Sequence, residues 1–132
     1  MKKCRITVMK MARYDDLIEK YENPIEHACE LEEGQTFIAN GWQKPDGLCD
    51  SAWESMSAFV MTLSHGGENL YDGWMKNKKS AMISCNDGFR PVSFYTLPIL
   101  KAFISLFLNR RYTVLRPIIR SSHSSSMVTS YT

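Results

Sequence analysis

Membrane-length hydrophobic runs, paired cysteines and a basic body are all missing from this 132-residue sequence. A membrane-spanning helix needs about 20 apolar residues, and the most apolar stretch, Leu97 to Leu108, is shorter and is broken by Lys101 and Ser105. No membrane span is therefore expected. The opening Met-Lys-Lys-Cys-Arg-Ile has no apolar signal segment, which predicts a cytoplasmic protein with reduced thiols. The four cysteines, Cys4, Cys29, Cys49 and Cys85, are widely spaced and form no C-x-x-C pair, so neither a disulfide scaffold nor a zinc ribbon is announced. Up to Thr96 there are 11 Lys or Arg against 14 Asp or Glu, a net of −3. The remainder carries five basic residues and no acid. A nucleic-acid-binding domain shows its basic face on the folded part, so no nucleic-acid partner is expected. Gly66-Gly67 precedes Glu68 and lacks the Lys and Ser/Thr of a phosphate loop. No internal repeat is visible.

What is present is a central amphipathic helix. From Ser51 to His65, Ala52, Trp53, Met56, Phe59, Val60 and Leu63 fall on one stripe at the 3.6-residue period. Ser51 and Glu54 have the spacing of a capping box, and Gly66 stands where a left-handed C-terminal cap belongs. A stripe of this kind needs a sheet beneath it. Lys3–Lys10 alternates with Cys4, Ile6 and Val8 on one side, the pattern of a half-buried strand. Gln35–Ala39 reads as a second strand, and Tyr14–Glu22 as a short helix ended by Asn23-Pro24. Ala81–Cys85 and Phe89–Thr96 read as a hairpin around Asn86-Asp87-Gly88. With Asn86 to Phe89 as its loop, Cys85 faces Arg90, Ser84 faces Pro91, Ile83 faces Val92 and Ala81 faces Phe94; Pro91 then falls in a pair that needs no donor.

The expected fold class is α+β: a small, mostly antiparallel sheet packed by one main helix and a short second one. Residues 1–96 form the domain. Residues 97–132 read as a basic, Ser-rich extension, a helix followed by disorder.

Cys49-Asp50-Ser51-Ala52-Trp53 and Cys85-Asn86-Asp87-Gly88-Phe89-Arg90-Pro91-Val92, with Lys2 to Val8 and Glu33 to Phe37, give the sequence a resemblance to a family of small uncharacterised bacterial and archaeal proteins, many from anaerobes. The resemblance implies a shared fold for residues 1–96 and draws attention to the same short residue set. It carries no activity with it, and the extension from Leu97 lies outside it.

Chemistry, on this reading, gathers around cysteine. Cys29 in a loop, Cys49 at a helix start and Cys85 at a hairpin end are placed to meet at one rim of the sheet. With His27 they offer a soft ligand set suited to zinc or an iron–sulfur cluster. Alternatively, Cys49, Cys85, Arg90 and Asp50 form a small-ligand site, the helix N-terminus and the guanidinium favouring thiolate and anion. No histidine stands at a spacing that marks a base, so no catalytic residues are assigned. Two functions follow from different classes. The first is a cysteine-dependent metal- or small-ligand-binding or redox module. The second is a non-catalytic protein-interaction module or subunit whose cysteines are structural.

Overall fold

Alternation places the first strand where the apolar residues require it. In the computed structural model, which describes residues 1–100, β1 (Lys3–Met11) buries Cys4, Ile6 and Val8 on one face. It is followed by α1 (Asp15–Tyr21), β2 (Thr36–Ala39), α2 (Asp50–Ser64), β3 (Ala81–Ser84) and β4 (Val92–Ile99). The four strands form one antiparallel sheet in the order β2-β1-β4-β3. Every strand sends alternate residues to the same side: Phe37 and Ala39, Ala81 and Ile83, Val92 and Phe94. α2 lies across that side. Its Ala52, Met56, Val60 and Leu63 are fully buried, while Trp53 and Phe59 from the expected stripe are half-buried and pack at its margins. The α+β expectation holds, with the longer helix on the sheet.

Both ends of α2 are fixed by identifiable devices. At the start, Cys49 is the N-cap, its sulfur accepting the Ala52 N–H at 3.4 Å. The helix thus begins earlier than the Ser51–Glu54 capping box implied, and Ser51 lies within its first turn. At the finish, Gly66 adopts φ +87° and donates to the Leu63 carbonyl, and Gly67 donates to the Thr62 carbonyl at 2.8 Å. This pair of bonds is a Schellman closure. A Cβ on Gly67 would sit 2.9 Å from the Thr62 oxygen, so both glycines are required there, one for conformation and one for space. The Lys2 N–H takes the Ser64 carbonyl, another orphan of the helix end.

Two expectations are corrected. The hairpin register is offset by two residues: Ala81 faces Thr96, Ile83 faces Phe94 and Ser84 faces Ser93. The cause is the loop. Asp87 Oδ1 accepts both the Phe89 and the Arg90 N–H, and the carbonyls of Phe89 and Pro91 accept from Tyr14 and Ala12. Residues 89 to 91 are thereby held by the segment after β1 and leave the hairpin ladder. An offset of two preserves the side-chain face, so Cys85 still packs beside the core. Secondly, β4 continues to Ile99, where a helix from Leu97 was expected. β3 ends at Ala81 opposite Thr96, so beyond that point β4 has a neighbour on one side only and Pro98 is tolerated. The short second helix is present as α1, which buries no residue and is peripheral. The remainder of the expected Leu97–Leu108 helix and the Ser-rich end lie outside the described residues.

Met56 at the centre of the interface should be costly to truncate. Met56→Ala is expected to lose about 2–5 kcal/mol, read as a lower urea midpoint at unchanged slope. Gly66→Ala is expected to lose about 1–2 kcal/mol through its left-handed backbone.

Candidate functional site

One end of α2 opens onto a cleft of about 680 Å³, and three segments far apart in sequence supply its walls. Ala28 to Leu31 come from the loop between α1 and β2, where Gln35 accepts the Glu32 N–H and Glu33 accepts that of Met11. Leu48, Cys49 and Ser51 come from the start of α2; Cys85, Asp87, Arg90 and Val92 come from the β3–β4 connection. The last two segments are tied directly, the Asn86 side-chain amide donating to the Ser51 carbonyl at 3.4 Å.

Cys29, Cys49 and Cys85 all line this cleft, as their expected convergence required. All three are free thiols; Cys29 and Cys49 are exposed and Cys85 is half-buried. The Cys85 sulfur accepts the Val92 N–H at 3.3 Å. Cys4 is different in kind. It is fully buried in β1, donates to the Val60 carbonyl at 3.6 Å, and burial pushes its thiol up to about 11. Cys4 fills the core, whereas the other three border solvent.

Sharing a cleft does not make a ligand set. Among the described residues no group of three or more His, Cys, Asp or Glu is placed to hold a metal ion. His27 is exposed on its loop and is absent from the cleft lining. The proposed zinc or iron–sulfur set of Cys29, Cys49, Cys85 and His27 is therefore not assembled, because the thiols occupy different walls. Asp50 also stands apart. It pairs with Lys44 at 2.6 Å with its own side chain 94 % exposed, and that hydrogen bond holds its carboxyl below the ordinary carboxylate range.

Arg90 is where the site's electrostatics concentrate. Its Nη1 donates to Glu22 Oε1 at 2.9 Å, with side chains only 14 % and 11 % exposed. The bond to Glu22 raises the guanidinium pKa further, so Arg90 is always charged. Arg90 Nε and Glu22 Oε2 are buried with no hydrogen-bond partner. Arg90 and Ala28 also line a second cleft of about 400 Å³ beside α1, so the ion pair belongs to a wall between the two. The carboxylate nearest to Arg90 in sequence is that of Asp87. The carboxylate of Asp87 instead holds backbone N–H groups, and the true partner, Glu22, lies 68 positions away with no local signal to announce it. Lys44, only six positions before Asp50, was missed because the loop between them has no period that brings the two together.

The fold and this cleft define a small α+β domain with a thiol-lined pocket. The chain matches no known family model, and comparison with curated proteins and with solved structures likewise finds no match. No helix among the described residues is long and apolar enough to cross a membrane.

The division of thiols has a consequence for alkaline stability. Cys4 titrates higher in the folded state than its ordinary value of 9.0, so its contribution is complete below pH 9 and is lost as pH rises through about 11. Urea midpoints should fall over that window, and Cys4→Ala should flatten the fall. A slope unchanged by Cys4→Ala would assign it to other groups.

Proposed function

We propose that the cleft binds a small molecule bearing a carboxylate or phosphate, and that its cysteines grip or react with that molecule: a cysteine-dependent binding or redox module. The observation that carries this reading is Arg90, a mostly buried guanidinium that lines the same cleft as three free thiols. Arg90 lines the cleft, and its planar, permanently charged fork suits a carboxylate or phosphate. The two motifs behind the family resemblance both border the cleft, through Cys49 and Ser51 on one side and Cys85, Asp87, Arg90 and Val92 on the other. The alternative, an interaction module with structural cysteines, fits Cys4 in the core and the bonds that Cys49 and Cys85 accept from Ala52 and Val92, but gives the exposed Cys29 no role. A cytoplasmic location belongs to the same reading, since it keeps these thiols reduced.

Paired alkylating reagents of similar size test it. Protein purified without oxygen is treated with anionic iodoacetate and neutral iodoacetamide, with site-resolved rates referred to those of glutathione. Cys49 and Cys85 are expected to favour iodoacetate by less than about threefold, the bound that one uncompensated charge about 6 Å away in a water-like dielectric would set, because Glu22 offsets part of the Arg90 charge. Arg90→Gln should remove the preference and Glu22→Gln should increase it. Identical ratios in the three proteins, each with a native circular dichroism spectrum, would overturn the anion-binding reading.

A further inference from the structure

We infer that the cleft performs thiol–disulfide exchange with disulfides of small carboxylate-bearing thiols, Cys49 attacking and Cys85 resolving. The choice of substrate rests on the anion-binding reading above, whereas the exchange rests on the thiols alone.

Cys49 is the exposed thiol on the helix wall, its sulfur anchored at the start of α2 by the Ala52 N–H. Cys85 is half-buried on the facing connection, its sulfur held by the Val92 N–H. The bond from Asn86 to Ser51 joins the residue after Cys85 to the first turn that Cys49 caps, so the two thiol-bearing segments are neighbours. One accessible and one sheltered thiol on joined segments divide naturally into the group that meets a substrate and the group that meets the resulting adduct. Access governs which thiol reacts first. A cleft of about 680 Å³ is within the size range of small-molecule sites, and Arg90 on its wall offers a carboxylate partner.

The chemistry balances without any further reagent. The Cys49 thiolate attacks one sulfur of the disulfide RSSR; the S–S bond breaks, a Cys49–S–S–R bond forms and RS⁻ leaves with the electron pair. The Cys85 thiolate then attacks the Cys49 sulfur, forming a Cys49–Cys85 disulfide and expelling the second RS⁻. Two thiol protons pass to the two leaving thiolates. The protein dithiol is oxidised and RSSR is reduced to two RSH.

Glutathione disulfide is the test substrate, and the uncharged bis(2-hydroxyethyl) disulfide is the comparison. The anaerobic full-length protein should release two glutathiones per chain and become lighter by two hydrogens, with the new bond mapped to Cys49 and Cys85. Cys85→Ser and Cys85→Ala should both stop at a Cys49–glutathione mixed disulfide, and Cys49→Ser should react at least tenfold more slowly. Arg90→Gln should lower the rate ratio of glutathione disulfide to the uncharged disulfide. Failure of both Cys85 variants to accumulate the Cys49 adduct, a bond mapped to Cys29, or a Cys49→Ser rate equal to wild type overturns the exchange mechanism. An unchanged ratio in Arg90→Gln, with exchange intact, overturns the carboxylate specificity and the anion reading beneath it.

Discussion

The packing of α2 onto the inner face of the sheet is the constraint from which the cleft follows. Four fully buried side chains, Ala52, Met56, Val60 and Leu63, fix the helix in rotation as well as position. Each large one contributes about 1.5–3 kcal/mol by leaving water. Once the stripe is seated, the first turn must lie beside the β3–β4 connection, as the bond from Asn86 to Ser51 records. The opposite end is closed by Gly66 and Gly67 and by the Lys2 N–H on Ser64. One end of the helix is sealed, and the other is open and carries a sulfur as its cap.

The two ion pairs near that open end differ in meaning. Lys44–Asp50 is water-exposed on the aspartate side and is screened by salt, so it tethers the approach to α2 and does little else. Arg90–Glu22 is mostly removed from water. A buried ion pair is weak evidence for stability, because apolar residues of similar volume serve folding as well or better. A pair that also leaves Arg90 Nε and Glu22 Oε2 without partners is a poorer stabiliser still. Its arginine lies on the wall of the thiol-lined cleft, which is why the proposed function turns on it.

Periodicity made most of the architecture legible. The two-residue alternation of Cys4, Ile6 and Val8 and the 3.6-residue stripe of α2 each report a burial face directly, so element types and the buried side could be read from one chain. Register and boundaries could not. The hairpin offset depends on Asp87 bonding the N–H groups of Phe89 and Arg90 and on the carbonyls of Phe89 and Pro91 finding donors after β1, none of which shows as a pattern. Leu97 to Ile99 looked helical because a short apolar run carries no period of its own, and only pairing with β1 makes it a strand. The site was legible to the extent that Cys49 and Cys85 sat at the ends of elements and Cys29 in a connecting loop, where chains turn toward a common rim. Glu22 was invisible because its role depends on an arginine 68 residues later.

Convergence of thiols on a cleft and convergence on a metal are separable demands. Tetrahedral zinc needs sulfurs at about 2.3 Å from one centre, which sets neighbouring sulfurs about 4 Å apart all at once. Disulfide exchange asks only that sulfurs meet in succession, two at a time, in line with a departing group. A cleft whose thiols come from three separate segments does not meet the first demand among the described residues, and the second is the one that the proposed exchange makes. Of those segments, the helix start is rigid, because Cys49 is bonded into a turn whose next inward residue, Ala52, is fully buried. The connection bearing Cys85 is held at the cysteine itself, by the Val92 N–H on its sulfur and by its own N–H on the Val92 carbonyl.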